Sequence, residues 1–517
     1  MLWIALHLPR LSLESFAATL ATGDADGGAE RPIALLEAHR IVSANAAAQA
    51  LGVKPGLKRA TALALAPRIV LGQADAERDA LTLLPIAHAA LAFTPGVSLQ
   101  PPLQPGCACD TVLLEVQASL RYFGGLERLL QAIDAALRPL GHVVQKACAA
   151  TAQGAAILSR VEPQPQCLDL AATRLALQAA PVWLLGPGKE HWEALKGMGL
   201  RTLDDLLVLP RAGLARRFGE RLLVELDRAF GRRPDPREPI VLPQSFESRL
   251  ELFARADTTE QVLHGAARLL ERLIPWLSAQ HAFVRRFRLL MHHEARWQSD
   301  RTPEASALEI ALAEPSRDSA HLLVLLREQL ARLRLPAPTL ELRIQVEDIS
   351  RRPPPNGELF ATARSEHEGL TRLIERLQAR LGPGQVQRLV AIEDHRPERA
   401  SAWCEARASE AGSKRSPPAS PSSSAAAARP VWLQAAEPLL ERAARPLLDG
   451  RPLQLLAGPE RIEAGWWDAG LAGRDYFIAA TAEGALVWIF RERLPLSRSA
   501  GEEEEGTSGW FLQGRFG

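Results

Sequence analysis

The sequence has little that would place the protein in a membrane or in an oxidising compartment. It has 5 cysteines among 517 residues, too few for a disulfide framework, which predicts a reducing, cytoplasmic location. The N-terminus lacks a basic segment followed by a small-residue cleavage site, so we expect no secretory signal. No uncharged run of about 18 apolar residues occurs, and we therefore expect no transmembrane helix. The net charge is only +1, so any surface for nucleic acid must be a local patch.

Lysine is also scarce, because 6 lysines stand beside 55 arginines. This bias fits either a GC-rich genome or guanidinium contacts to phosphate, and composition alone leaves both open. Hydrophobic residues make up 47% of the chain, which suffices for several cores. The length predicts roughly three to four domains.

The residue pattern divides the chain into segments. Strand-like runs alternate with helical runs in residues 1–165 and mix with amphipathic helices in 240–345, which predicts an α+β multidomain protein. Residues 166–237 indicate short helices separated by Gly and Pro turns. Residues 346–404 form a connector, and 405–429 are of low complexity, which predicts a disordered linker. Residues 430–517 hold 5 of the 11 tryptophans, which predicts a small folded module.

Four motifs, in this order, resemble those of the Y-family translesion DNA polymerases, the UmuC/DinB-like enzymes. They are the first palm motif "IALHLPRLSLES", the fingers motif "RIVSANAAAQALGVKPG", the second palm motif "CDTVLLEV" and the thumb "GMGLRTLDDLLVLPRAGLARRFG". The resemblance implies a palm in 1–165 with fingers inserted at about 17–75. It also implies a helix-hairpin-helix thumb in 166–237 and a little finger in 240–345.

The metal positions that this resemblance assigns depart from the family pattern. A polymerase of this kind needs two Mg²⁺ ions held by carboxylates, because the metal charge stabilises phosphoryl transfer. The three ligand positions fall on Ala5, Asp110 and Thr111. Only Asp110 is acidic, and one carboxylate cannot hold two divalent ions against water. We therefore expect no catalytic residue, bound metal or cofactor, although Asp110 could also be an ordinary aspartate that caps a turn.

The other contacts to a nucleotide are changed as well. By the same resemblance, the sugar and phosphate positions fall on Arg10, Ala46, Gln49 and, approximately, Ala152. At these positions the family has an aromatic residue, a Tyr, an Arg and a Lys, in that order. This chain has none of the four at its family position. The loss of every class of contact predicts that no nucleotide is bound productively.

The C-terminal part resembles the ImuB family in particular. The stretches "AIEDHRPERA" and "GPERIEAGWWDAG" carry this resemblance. It implies a non-catalytic adaptor of error-prone translesion synthesis in the DNA-damage (SOS) response. The expected partners are DNA, the β sliding clamp, an error-prone polymerase α subunit and ImuA, a RecA-like protein. Two alternatives stay open: a weakly active Y-family DNA polymerase, and a binding module without a mutagenic partner.

Two arginine-rich segments are candidates for contact with the DNA backbone. Residues 211–237 contain eight arginines and four acids, and a helical hairpin can offer backbone N–H groups to a phosphate. In the little finger, strand alternation predicts that Arg285 lies on the face opposite Arg286 and Arg288. The alternatives are a solvated helix face and an edge strand protected by charge. The predicted DNA-binding residues are Gly197, Gly199, Arg216, Arg217, Arg285, Arg286 and Arg288.

Two further segments are candidates for protein contacts. The resemblance implies a short clamp-binding peptide after the little finger, where "NGELFA" places Asn356 at a Gln position and Leu359 and Phe360 as apolar anchors. In the last module, buried tryptophans dominate interface energies, so tryptophans there are candidate partner anchors. The alternatives are an ordinary loop and the core of the module. The predicted partner-binding residues are Trp466, Trp467 and Trp488.

Overall fold

The computed structural model describes residues 1–20, 31–104, 106–294, 304–351, 363–406, 429–468, 470–493 and 509–516. It contains both helices and mostly antiparallel sheets, so the predicted α+β class is confirmed. The chain divides into two compact units, Met1–Glu366 and His367–Gly517. None of the helices in the described ranges has the length and apolarity needed to span a bilayer.

The first part of unit one contains two small sheets. Its elements are β1 (Trp3–His7), α1 (Leu11–Ala17), β2 (Ile33–Glu37), β3 (Arg40–Ala44), α2 (Ala46–Ala50), α3 (Arg59–Leu65), β4 (Val70–Gln73), α4 (Ala76–Ala90), β5 (Val97–Leu99), β6 (Thr111–Glu115), α5 (Leu120–Phe123), α6 (Leu126–Leu137), β7 (Gln145–Ala149) and α7 (Ala152–Leu158). Strands β3, β2 and β4 form a three-stranded sheet within the predicted fingers.

The palm sheet has the strand order β5-β6-β1-β7, with β1 paired antiparallel to both β6 and β7. Its central strands β1 and β6 are buried along most of their length because both faces of the sheet are covered. One face packs on α4 and α6 through residues such as Ile4 and Ile133. The other face packs on α7 through Ala5 and Ala155. Residue Ala5, a predicted metal position, is therefore part of the core.

The predicted thumb is a group of short helices. They are α8 (Leu170–Gln178), α9 (Gly186–Glu190), α10 (Trp192–Gly197), α11 (Leu203–Val208), α12 (Arg211–Phe218) and α13 (Glu220–Ala229). Helix α11 begins at a capping box, in which Thr202 accepts from the Asp205 N–H and the Asp205 carboxylate accepts from the Thr202 N–H. Apolar residues of these helices share one core with α7.

The predicted little finger is a four-stranded sheet covered by helices on one face. Its elements are β8 (Phe246–Ala256), α14 (Thr259–Ala279), β9 (Ala282–His293), β10 (Ala305–Ser316), α15 (Ser319–Ala331) and β11 (Thr339–Arg351), with the strand order β10-β9-β11-β8. Strand β8 alternates buried and exposed residues from Phe246 to Leu252, which is typical of a sheet with one solvated face.

Unit two contains a helix–hairpin segment and a sheet module. Its elements are α16 (Ala363–Leu381), which begins at the end of unit one, β12 (Gln387–Ala391), β13 (Ser401–Glu405), β14 (Trp432–Pro438), β15 (Leu440–Arg442), β16 (Arg445–Leu448), β17 (Arg451–Pro452), β18 (Gln454–Ala464), β19 (Ala472–Ala480), β20 (Leu486–Glu492) and β21 (Trp510–Arg515). Five strands form one sheet with the order β14-β21-β20-β19-β18, and both of its faces are apolar.

Two predictions fall on residues that the structure does not describe. The predicted clamp-binding residues Asn356, Leu359 and Phe360 lie in 352–362, and most of the predicted linker lies in 407–428. Both stay predictions.

Candidate functional site

The palm cluster is built where β6 begins beside β1. Asp110 directly precedes β6, and Thr111 pairs with His7 at the end of β1. The Thr111 hydroxyl donates to Asp110 Oδ1 at 2.9 Å and lies 3.1 Å from Nδ1 of His7. Because the single proton of this hydroxyl goes to Asp110, His7 Nδ1 must be the donor to Thr111. Two neighbouring side chains thus support the one carboxylate.

A guanidinium completes the cluster. Arg160, two residues past the end of α7, forms an ion pair with Asp110 through Nη2, and its Nη1 donates to the Ala156 carbonyl at 3.0 Å. The Arg160 side chain is almost fully buried. The positive charge beside Asp110 is therefore supplied by the protein itself. Sequence analysis missed Arg160, because it lies 50 positions from Asp110 and no motif connects the two.

The cluster does not fit a pair of magnesium ions. Ala5 has no donor atom and is fully buried, and the Thr111 hydroxyl is already bonded to Asp110. The Asp110 carboxylate is also ion-paired with Arg160. Across the part of the chain that the structure describes, no group of three or more His, Cys, Asp or Glu side chains is arranged to hold a metal ion. Two hard divalent ions would need several oxygen ligands more than this site has.

The electrostatics of the cluster stabilise the charged form of Asp110. Burial by itself would raise the pKa of Asp110, but hydrogen bonding to His7, the charge of Arg160 and the bond from Thr111 together lower this pKa to about 2. The carboxylate therefore stays ionised at and well below neutral pH, and it stays paired with Arg160.

The remaining predicted nucleotide positions have structural partners of their own. Gln49 donates to the carbonyl of Ala44 at 2.7 Å. Ala152 is buried in the palm core, and Ala46 is the first residue of α2. Arg10 is exposed and precedes α1. Within the described ranges, neither Arg10 nor Gln49 forms a hydrogen bond or an ion pair with Asp110.

The thumb hairpin between α10 and α11 uses its N–H groups internally. The N–H groups of Met198, Gly199 and Leu200 donate to carbonyls of α10, and those of Arg201 and Thr202 donate to the Asp205 carboxylate at 2.8 Å. Gly199 has φ +82, a left-handed conformation that favours glycine. This corrects the expectation that the hairpin at Gly197 and Gly199 offers its N–H groups to a phosphate.

The exposed arginines of the thumb fall into two groups. Arg211 forms a bidentate ion pair with Asp227, and Arg221 is paired with Glu190 and Glu225. Arg216 and Arg217, in the last turn of α12, are exposed, and neither is ion-paired to a carboxylate in the described ranges. Arg216 and Arg217 therefore remain available to an anionic partner. Arg201, Arg232 and Arg233 are also exposed and form no ion pair within the described ranges.

The arginines of β9 lie on the solvated face of the little-finger sheet. The pairing of β9 with both neighbours is irregular between Val284 and Arg288, which shifts the alternation by one residue. As a result Arg285, Arg286 and Arg288 are all exposed, whereas Phe287 is buried. The prediction that Arg285 lies on the face opposite Arg286 and Arg288 is therefore wrong. Arg286 and Arg288 share one acid, Glu309, at 3.2 and 3.1 Å.

The predicted partner-binding tryptophans have two different environments. Trp488 is 2% exposed and stacks on Tyr476 within the sheet module, so it is a core residue, which corrects its prediction as an anchor. Trp466 and Trp467 are 79% and 54% exposed. Their rings meet edge to face at 5.3 Å. We call these two residues the tryptophan pair.

The tryptophan pair is held by a residue that sequence analysis did not single out. The buried guanidinium of Arg396 donates to both carboxylate oxygens of Asp468, at 2.9 and 2.8 Å, and to the Gly470 carbonyl at 2.8 Å. It also lies over the ring of Trp467. At Gly465 a Cβ would lie 2.2 Å from the Gly470 oxygen, so the loop closes too tightly for a side chain there.

Comparison with known proteins gives one clear similarity. No family model matches the chain. "Protein ImuB" of Caulobacter vibrioides, from strain NA1000 / CB15N and from strain ATCC 19089 / CIP 103742 / CB 15, is 27% identical over 490 residues, covering 90% of this chain and 100% of the relative. This similarity confirms the resemblance to ImuB that the motifs indicate.

Solved structures of Y-family enzymes are also similar to part of the chain. A Dbh ternary complex has a TM-score of 0.37 and 16% identity, and a DinB crystal structure from Sulfolobus solfataricus has a TM-score of 0.36 and 16% identity. Each covers 68% of this chain and 99% of its own.

The palm cluster makes a direct prediction about the pKa of Asp110. In Arg160→Met we expect this pKa to rise from about 2 toward its ordinary value of 3.8, because the nearest positive charge is lost. A lowered folded-state pKa adds stability above the unfolded pKa of about 3.9 that disappears as the pH falls through the folded value. The stability difference between wild type and variant should therefore shrink below about pH 4. Carboxyl NMR titration measures the pKa.

A matched control is Arg174→Met, because the Arg174 side chain donates to the neutral Phe230 carbonyl. That variant should leave the Asp110 titration unchanged. If Asp110 still titrates near pH 2 in Arg160→Met, the guanidinium is not what holds the carboxylate ionised.

Proposed function

We propose that this ImuB-like chain is a non-catalytic adaptor of error-prone translesion DNA synthesis. The observation that carries the proposal is the palm cluster, where the only carboxylate at the three metal positions is paired with Arg160. A Y-family polymerase needs metal charge at that place. The protein instead keeps the surfaces of the fold and uses them to bind DNA and proteins.

DNA binding is supported by the distribution of free cations. Arg216 and Arg217 on the thumb and Arg285 on the little finger are exposed, and no carboxylate of the described residues is ion-paired with them. Such arginines bind phosphates without reading bases, so binding should depend strongly on salt and little on sequence. The internal use of N–H groups by the α10–α11 hairpin shifts the expected contact from the backbone to these side chains.

Clamp binding is supported by the sequence alone. Leu359 and Phe360 follow a Pro-rich segment directly after the little finger, and two apolar anchors that enter a preformed pocket supply most of the binding energy of such peptides. Asn356 stands where the family has Gln, so this peptide should bind more weakly than one with Gln.

Recruitment of a polymerase α subunit or an ImuA-like protein is supported by the tryptophan pair. Large aromatic side chains are rarely left exposed, and those in a held conformation bind at a low cost in conformational entropy. The Arg396–Asp468 pair holds the loop of Trp466 and Trp467 in one arrangement. We infer that this loop is the contact for the polymerase α subunit.

The proposal predicts the outcome of a primer-extension assay. The purified chain should incorporate no nucleotide on a primer–template with Mg²⁺ or Mn²⁺, because only one carboxylate is available for two ions. A Y-family polymerase stripped of its catalytic aspartates sets the background. Template-dependent incorporation that Asp110→Ala abolishes would instead establish a weakly active polymerase.

The proposal also predicts which arginines carry DNA binding. Arg216→Ala with Arg217→Ala should weaken binding to duplex DNA by about tenfold and lower the salt slope by roughly 2, because each lost phosphate contact removes about 0.9 from the slope. Fluorescence anisotropy over a range of salt concentrations measures both quantities. Arg211→Ala, on the same helix but paired with Asp227, should leave the slope unchanged. An unchanged slope in the double variant contradicts the assignment.

Protein binding should separate into two independent losses. Trp466→Ala with Trp467→Ala should weaken binding of the polymerase α subunit by at least about 30-fold, at roughly 2 kcal/mol or more for a central anchor. Clamp binding should remain in that variant. Leu359→Ala with Phe360→Ala should weaken clamp binding and leave binding of the α subunit unchanged. The control variant Trp432→Ala, which changes another exposed tryptophan, should leave both bindings unchanged. Pull-down and titration with the full chain measure the affinity for each partner. If the variant without the tryptophan pair still binds the α subunit as tightly as wild type, the assignment is wrong.

A further inference from the structure

The little finger docks on the palm through a small contact surface in unit one. The N–H of Phe253 in β8 donates to the Thr19 carbonyl at 3.0 Å, and the Phe253 ring meets Phe16 edge to face at 5.1 Å. Helix α14 packs on α4 beside this contact. An ion pair between Arg249 and Glu77 also crosses the junction. Elements distant in sequence therefore enclose a common space.

At this junction lies a cavity of about 280 Å³ that is partly open to solvent. Three arginines line it: Arg78 from α4, Arg249 from β8 and Arg272 from α14. A water molecule occupies about 30 Å³ in the liquid, so the cavity could hold roughly nine waters. That is more than a bare phosphate ion needs, and it leaves room for a group attached to the phosphate.

Arg272 is the least satisfied charge of the cavity. Its side chain is part of a residue only 7% exposed, and its Nη1 donates to the Arg249 carbonyl at 3.0 Å and weakly to the Ser248 hydroxyl at 3.5 Å. Within the described ranges, Nε and Nη2 of Arg272 have no hydrogen-bond partner and no carboxylate is in ion-pair contact with the guanidinium. Burial lowers the pKa of Arg272 to about 10. The charge of Glu271 opposes this shift, but Glu271 pairs with Arg268 and not with Arg272. An anionic ligand would therefore offset part of the cost of burying the Arg272 charge.

Arg78 of α4 lines the same cavity and forms no ion pair with a carboxylate of the described residues. Its Nε donates to the Ser15 hydroxyl at 3.3 Å and its Nη2 to the Gln73 carbonyl at 3.0 Å. Both of these acceptors are neutral. The cavity therefore has two guanidinium groups from two different domains whose charges the described residues do not neutralise by ion pairing.

The acids that line the cavity do not balance this charge. Asp75 uses Oδ1 to accept from the N–H groups of Glu77 and Arg78 at the start of α4. Glu251 is exposed on β8. Arg249 is satisfied separately by Glu77. That leaves Arg78 and Arg272 facing Asp75 and Glu251, and neither acid is ion-paired with either arginine among the described residues. Arg272 is the most buried of these charged groups.

We propose that this cavity binds an oxyanion of the phosphate type between Arg78 and Arg272. Arginine binds phosphate oxygens with its planar fork, and such charge-assisted bonds are strong in a desolvated site. The ligand is inorganic phosphate, a phosphate monoester or a phosphodiester of a nucleic-acid strand. Since the two arginines belong to the palm and the little finger, the ligand fastens these domains together. This inference does not depend on the proposed function.

The test is thermal unfolding of the full chain with inorganic phosphate, titrated against chloride at constant ionic strength. Phosphate should raise the unfolding midpoint by about 3 °C near saturation. Arg272→Met should abolish that rise without lowering the midpoint in chloride, because the variant removes a buried, uncompensated charge. Arg78→Met should also abolish the rise. Arg268→Met is the matched control, since Arg268 is on the same helix and is paired with Glu271. It lines a neighbouring cavity that Arg272 also borders, but not the cavity proposed here.

Two results overturn the proposal. One is a wild-type midpoint that phosphate does not raise beyond the chloride control, with a deoxynucleoside monophosphate and a single-stranded oligonucleotide equally without effect. The other is an unfolding midpoint of Arg272→Met that is lowered by the same amount in phosphate and in chloride. The variant would then still be stabilised by phosphate, and the role of Arg272 would be only its hydrogen bond to the Arg249 carbonyl. Stabilisation that depends on Arg272 with any of the three probes supports the site, and the most effective probe identifies the source of the phosphate group.

Discussion

The ion pair between Arg160 and Asp110 is the interaction on which the proposed function of this molecule depends. In a two-metal polymerase, divalent cations neutralise clustered carboxylates and stabilise the reacting phosphates. Here one carboxylate remains, and a guanidinium fixed by α7 neutralises it. A guanidinium has fixed hydrogen-bond donors and no open coordination position, so it can balance the charge of Asp110 but cannot replace a metal ion in catalysis. The charge of Asp110 at the edge of the palm sheet is thereby balanced without a metal ion.

The surfaces around this scaffold follow from where charges are left unpaired. Several arginines of the described thumb and little finger are neutralised by nearby acids, such as Arg211 by Asp227 and both Arg286 and Arg288 by Glu309. The exposed arginines without such an acid, among them Arg216 and Arg217, define where an anionic partner gains most. In unit two, a buried arginine has a different task. Arg396 satisfies several acceptors at once, and by doing so it keeps two large aromatic side chains exposed.

Part of this architecture could be predicted from the sequence, and the physical reasons are specific. The alternation of strand and helix patterns predicts the α+β class, and the tryptophan content of the last segment indicates a folded module. The single acid Asp110 at the metal positions is visible in the motif itself. The stretch "AIEDHRPERA" carries the resemblance to ImuB, and the structure adds a physical role for it, because Arg396 in that stretch holds the loop of the tryptophan pair.

Other features depend on contacts that no local pattern reveals. Arg160 meets Asp110 only because the sheet brings β6 and the end of α7 together. The irregular pairing of β9 places Arg285 on the same solvated face as its neighbours, whereas strict alternation predicts the opposite. The hairpin N–H groups of the thumb are used by α10 and Asp205, and Trp488 is distinguished from Trp466 only by burial.

The central claim is that the palm has no place for divalent metal ions, and Mn²⁺ binding tests it most directly. Electron paramagnetic resonance of the full chain with primer–template and a non-hydrolysable nucleotide measures protein-bound Mn²⁺ in the palm. The account predicts the same signal for wild type and Asp110→Ala, equal to that of nucleotide and DNA without protein. Two additional bound ions that disappear in Asp110→Ala would contradict it.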